Sequence, residues 1–165
     1  KLGAVVVFLF VGFILFAIIL IAYQAKSFNN YPDIAREYMA TGDYEQAYIS
    51  LLKEGDKVKE TTLYEQLRVL QKLNKKLSYY SSNLTLLERE KALDSLIDGI
   101  EIYDKEKTHA KELDVEKQYN EIYDEILNNL KSEYKLNEKE ARAIMKINNK
   151  EDYSKKINEV CKKTK

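Results

Sequence analysis

Residues 115–134, VEKQYNEIYDEILNNLKSEY, place Val115, Tyr119, Ile122, Tyr123, Ile126, Leu127, Leu130 and Tyr134 at steps of mostly three and four. Residues three and four apart share one face of an α-helix, so the stretch reads as a helix that buries one stripe and solvates the rest. The pattern occurs twice upstream, in Leu63, Leu67, Leu70, Leu73 and Leu77 and again in Leu93, Leu96, Ile97, Ile100 and Tyr103. After residue 27 only Gly42, Gly55, Gly99 and Pro32 interrupt the chain, which leaves a sheet little to turn on. The expected fold class is all-α.

Helix starts are read from short polar residues that accept an orphan amide while a Glu or Gln three positions on bonds back. Asp43 with Gln46, Thr62 with Glu65, Thr85 with Glu88, Asn137 with Glu140 and Asn148 with Glu151 fit, and Gly42 and Gly55 stand where helices should stop. The expected helices are 32–41, 44–54, 63–81, 86–112, 115–134, 138–147 and 150–162. Short connections force antiparallel neighbours, so residues 27–162 should form one stack of helical hairpins. Its parts are a first hairpin at 31–54, a long second hairpin at 63–112 and C-terminal helices at 115–162.

Ahead of this region, residues 2–22, LGAVVVFLFVGFILFAIILIA, carry no charge and no proline. As a helix the run is about 31 Å long, the thickness of a bilayer's hydrocarbon core. Tyr23 and Lys26 follow, side chains suited to the interface. The run is too long for a signal h-region, and Tyr23 spoils a small-x-small cleavage site ending at Ala25. An N-terminal transmembrane helix, retained and crossing once, is expected, which puts the protein in the cell membrane. Lys1 and Lys26 flank it evenly, so the positive-inside rule gives no orientation; the helical tail is expected on the extracytoplasmic side. No GxxxG pair is present to drive dimerisation, and the oligomeric state stays open.

Composition narrows the chemistry. With the apolar run set aside, roughly 38% of the chain is apolar, an ordinary to polar globular value. Residues 27–165 hold 25 basic and 27 acidic side chains with the signs interspersed. That is a solvated surface rather than a nucleic-acid footprint, and the acidic residues in LNEKEARAIMKINNKEDYSKKI (136–157) argue against a helix-turn-helix reader. One His, one Cys and no Trp leave metal clusters and His-based triads almost without parts. His109 lies among charges and reads as exposed and structural, while Cys161 lies on the last apolar stripe and reads as buried. The acidic pairs sit among lysines and read as ion-paired faces, and no GxGxxG, Walker, HExxH or GxSxG motif occurs. No catalytic residue, cofactor or metal is expected. All 13 tyrosines follow the apolar run, and most should fill helix interfaces with their hydroxyls at the rim.

The segment 31–54, YPDIAREYMATGDYEQAYISLLKE, resembles a tetratricopeptide (TPR) repeat. Tyr31 takes the early aromatic position, Ile34 and Ala35 the large-small pair, Tyr38 the next aromatic, and Gly42-Asp43-Tyr44 the turn. Ala47 and Leu51 take the small and large positions of the second helix. Small Ala35 and Ala47 would let two helices approach closely. Glu54 and Lys59 depart from the pattern, which wants a small residue and a proline there. Ala92, Leu96 and Gly99 echo Ala47, Leu51 and Glu54 at an offset of 45, either a hairpin with a lengthened first helix or ordinary amphipathicity.

The chain thus resembles the membrane-tethered, TPR-like proteins of Gram-positive bacteria. The resemblance implies protein or peptide binding without catalysis: a membrane-anchored interaction or scaffold module. In such repeats the inner surface comes largely from the first helix of each hairpin, which makes Arg36, Glu37, Gln66 and Arg68 the expected partner-binding residues, with Tyr31 and Tyr38 packing. The alternative is an envelope sensor or regulatory subunit that binds a small ligand in a tyrosine-lined pocket.

Overall fold

The computed structural model describes residues 30–164, together with Ile14, Phe16 and Ile18. Among the described residues from 30 onward seven α-helices follow one another: α1 (Tyr31–Ala40), α2 (Tyr44–Leu52), α3 (Thr62–Thr85), α4 (Arg89–Glu112), α5 (Glu116–Tyr134), α6 (Glu138–Met145) and α7 (Lys150–Lys163). A short 3-10 helix (Asp56–Glu60) joins α2 to α3, and no strand occurs among the described residues. The fold is all-α. The expected span at 2–22 lies outside the described residues except for Ile14, Phe16 and Ile18, which are helical and exposed. Among the described residues no helix is long and apolar enough to cross a membrane.

The apolar stripes are the core. Leu63, Leu67, Leu70, Leu73 and Leu77 of α3 are buried, as are Leu93, Leu96, Ile97 and Ile100 of α4. In the third stripe every residue is buried except half-buried Leu127. Contacts between α3 and α4 run in opposite chain directions: Gln66 meets Leu113, Lys72 meets Glu106, Lys76 meets Asp98 and Asn83 meets Ser95. The same holds for α4 and α5, where Tyr103 meets Asn120 and Arg89 meets Tyr134. A smaller second core of Ala35, Ala47, Leu51, Val58, Leu63 and Leu67 seats α1 and α2 on the first half of α3. At its edge the Tyr48 and Tyr64 hydroxyls are hydrogen-bonded at 3.2 Å, which, with burial, pushes the Tyr48 hydroxyl up to about 12.

Helix α4 packs against α3, α5, α6 and α7. Ala92, Leu93, Ser95, Leu96, Ile97, Gly99 and Ile100 are all buried, so nearly every direction around its first half meets another helix. Close approach requires the small residues. A Cβ at Gly99 would lie 2.7 Å from Ile126 Cδ1 of α5, well inside contact distance. Asp98-Gly99, a dipeptide that favours hairpin turns, therefore sits mid-helix because tertiary packing outweighs local preference.

Four turns close alike, with a left-handed residue just past the helix and an amide reaching back five positions, or six in the case of Leu136. The bonds are Asp43 N to Tyr38 O, Glu88 N to Asn83 O, Val115 N to Ala110 O, and Leu136 N to Leu130 O, all between 2.8 and 3.1 Å. The first uses Gly42 (φ 80°), but the others put Leu87 (φ 62°), Asp114 (φ 57°) and Lys135 (φ 54°) in the left-handed region. Several expected caps move accordingly. Asp43 and the full Asn137–Glu140 capping box form as read. Thr61 rather than Thr62 caps α3, accepting from Tyr64 N, and Asn149 rather than Asn148 caps α7. Thr85 caps nothing: it ends α3 and its hydroxyl bonds the Ser81 carbonyl, so α4 begins after Glu88 without a side-chain cap.

Leu87 is 86% exposed, so its side chain contributes little burial to set against the left-handed backbone, which costs a non-glycine residue about 1–2 kcal/mol. Leu87→Gly is expected to stabilise the domain by about 0.5–1 kcal/mol net of glycine's greater freedom in the unfolded chain, read as a raised melting temperature. Gly99→Leu is expected to cost about 2 kcal/mol or more by overpacking against Ile126, and an unchanged melting temperature would refute the close approach of α4 and α5.

Candidate functional site

The four expected partner-binding residues fall into two groups. On α1, Arg36 is exposed and paired with Asp33 at 2.8 Å, and Glu37 beside it is exposed. On α3, Gln66 Nε2 donates to the Leu113 carbonyl at 2.8 Å, which satisfies one of the orphan acceptors at the end of α4. Arg68 Nε donates to Glu65 Oε2 at 2.9 Å; the hydrogen bond to Glu65 is the main cause that holds its guanidinium pKa up. Glu65 also lies 3.8 Å from His109 Nε2, whose Nδ1 is 3.5 Å from Glu112. Gln66 and Arg68 thus share a polar seam with His109 between the start of α3 and the end of α4. No hydrogen bond or ion pair joins either of them to Arg36 or Glu37. Tyr38, expected to pack, is 38% exposed, as are Ile49 and Leu52 of α2 at 40%.

Tyrosines join the C-terminal helices through side chains that sequence periodicity does not reveal. The Tyr103 ring stacks on Tyr123 with centroids 3.7 Å apart and on Tyr119 at 5.4 Å. Their hydroxyls are all engaged: Tyr103 donates to Asn120 Oδ1, Tyr119 to the Ile102 carbonyl, and Tyr123 to Glu138 Oε1. Arg142 of α6 closes this cluster. Its Nη1 and Nη2 donate to the two oxygens of Asp104 at 2.5 and 3.3 Å, its Nε donates to Glu138 at 2.8 Å, and Nη2 also donates to the Tyr123 hydroxyl at 2.8 Å. The planar guanidinium serves three partners on three helices at once, a geometry lysine lacks. Burial, with the bond to Glu138 second, pushes the Tyr123 hydroxyl far up; the bonds from Tyr123 and then Arg142 hold Glu138 below the usual glutamate range.

A second junction stands at the opposite end of α4. Arg89 lies over the Tyr134 ring at 5.2 Å and donates through Nη2 to the Glu133 carbonyl and the Thr164 hydroxyl, while Tyr134 donates back to the Arg89 carbonyl at 3.0 Å. The Arg89 Nε is buried without a partner. Neither arginine was singled out by sequence pattern; for Arg142 the usable hint is Glu138 four positions earlier on the same helix face.

The reactive side chains do not converge. Cys161 is buried beside Tyr134 near the end of α7, whereas His109 sits near the far end of α4, about 30 Å from Arg89 along the helix axis. Among the described residues no group of three His, Cys, Asp or Glu side chains is placed to hold a metal ion.

Arg142→Ala is expected to destabilise the domain by about 2 kcal/mol, because it strips charged partners from Asp104, Glu138 and Tyr123 together, and Arg142→Lys to recover less than half, both measured by denaturant unfolding. Glu106, held below the usual range mainly by the hydrogen bond from Lys72, and Glu138 also set an acid limit. A depressed carboxyl contributes stability above its unfolded pKa, near 4.5, and loses it as pH falls through the lower folded value. The melting temperature is therefore expected to be level above about pH 5 and to fall below it, with a shallower fall in Glu106→Gln/Glu138→Gln. Comparison of the chain with protein-family models, with curated proteins and with solved structures gave no match.

Proposed function

We propose that the chain is a membrane-anchored protein–protein interaction or scaffold module, tethered by one span at residues 2–22 and presenting a partly TPR-like helical stack. The observation that carries this reading is the α1–α2 hairpin. Its small residues Ala35 and Ala47 are fully buried, while Tyr38, Ile49 and Leu52 remain exposed alongside charged Arg36 and Glu37. Exposed aromatic and aliphatic side chains interleaved with charge suit a protein partner. Tyr23 to Asn29 alone separate the apolar run from Asn30, so a partner bound there would be held close to the bilayer. Against a tyrosine-lined pocket stand the tyrosines themselves. Tyr103, Tyr119, Tyr123, Tyr134 and Tyr153 spend their hydroxyls on other helices, and Tyr48 and Tyr64 on each other.

In cells producing the full chain, the protein is expected to stay in the membrane pellet after alkaline carbonate extraction, and deletion of 2–22 to release it; release of the intact chain would contradict the anchor. A cysteine introduced at exposed Lys105, in a chain whose own Cys161 is 2% exposed, is expected to react with a membrane-impermeant maleimide in intact cells if the tail is extracytoplasmic. A photo-crosslinking residue at Glu37 or Ile49 is expected to give a discrete adduct that the same residue at Lys155 on α7 does not. Identical adduct patterns at all three positions would sink the assignment of the α1–α2 face.

A further inference from the structure

We propose that the cleft enclosed by the end of α5, α6 and α7 binds an anionic amphiphile, a single apolar chain carrying a carboxylate, sulfate or phosphate head. The cleft has a volume of about 450 Å³, within the span of small-molecule sites, and Leu136, Ile144, Ile147 and Val160 form its apolar walls. Its charges are one-sided: Lys135, Lys156 and Lys163 line it, against the single carboxylate of Glu140. Lys163 makes no ion pair among the described residues, and Lys156 is held only by an exposed contact to Glu159 at 3.3 Å, which an anionic head can replace at little cost. Lys135 is fixed by its left-handed backbone and a 2.7 Å bond from Nζ to the Ser132 carbonyl.

The back wall is preorganised. Tyr134 and Thr164 both line the cleft, and Arg89 grips both, stacking on the ring of one and bonding the hydroxyl of the other. A wall held from behind loses little freedom when a ligand enters. Three helix segments around an apolar floor suit one short chain rather than a peptide, which needs a groove running along a helix pair. The cleft also lies at the end of α4 away from the α1–α2 hairpin, so the inference does not rest on the scaffold reading.

The test uses the full chain in phosphatidylcholine nanodiscs with isotope-labelled Ile, Leu and Val methyl groups. Sodium decanoate is expected to shift the Ile144 and Val160 methyl resonances saturably, and decanol, the same chain without the charge, to do so at least about tenfold more weakly. Lys156→Gln/Lys163→Gln is expected to weaken decanoate about tenfold and leave decanol and the melting temperature unchanged, since both side chains are exposed. Equal shifts by decanoate and decanol, no saturation, or wild-type decanoate binding in the double variant would overturn the proposal. Repeating the titration with phosphatidylglycerol in half the bilayer identifies the source. Loss of the decanoate shifts would show that a membrane lipid head already occupies the site, and their persistence would point to a soluble amphiphile; either supports the anionic cleft.

Discussion

Helix α4 is the strut on which α3, α5, α6 and α7 converge, and small Ala92, Ser95 and Gly99 on its buried faces leave room for these neighbours. A side chain at Gly99 would force the Ile126 side chain out of its present position against α4. The first half of α4 holds seven of its eight buried residues, from Ala92 to Ile100, and is also paired by charge, Asp98 to Lys76 of α3. The second half is more polar and adds two further ion pairs, Glu106 to Lys72 of α3 and Asp104 to Arg142 of α6. One helix thus combines hydrophobic burial, concentrated in its first half, with ion pairs along its whole length.

The tyrosines bridge these two regimes. Tyr103, Tyr119, Tyr123, Tyr134 and Tyr153 each place a large ring between helices and give the hydroxyl to a partner on a neighbouring helix, work that Phe could not do. Tyr119 ties α5 to the Ile102 carbonyl and Tyr153 ties α7 to Asp94, so α4 receives a bond from each. Stacked rings at Tyr103, Tyr119 and Tyr123 add roughly 1 kcal/mol per pair beyond the area they bury. The internal polar chemistry is therefore structural, and the surfaces left over, the α1–α2 face and the lysine-rimmed cleft, lie toward opposite ends of α4.

Periodicity made the helices legible, because a stripe such as Leu63 to Leu77 must face inward whatever packs on it. Boundaries were less legible for local reasons. Thr61 stands next to Thr62 and Asn149 next to Asn148, so the residue type alone could not choose between neighbours. The turns at Leu87, Asp114 and Lys135 carry no glycine, so nothing in their composition announces a left-handed residue. The expected partner-binding residues show a different difficulty: Gln66 looks like an available surface amide in sequence, but it is spent on the last turn of α4, 47 positions away. Arg142 and Arg89 likewise gain their cross-helix roles from distant partners, Asp104 and Tyr134, and only Glu138 beside Arg142 is local.

Helix α4 anchors the packing of α3, α5, α6 and α7, while the α1–α2 hairpin, built on its own small core, is joined to that stack less firmly. Native-state hydrogen exchange on the full chain tests this most directly, since exchange reports the free energy of the opening that exposes each amide. Amides of Leu96, Ile97 and Ile100 are expected to exchange only through global unfolding, and those of α1 and α2 through a smaller opening at lower free energy. Amides of α4 exchanging as fast as those of α1, or the hairpin outlasting α4, would show that α4 is not the anchor.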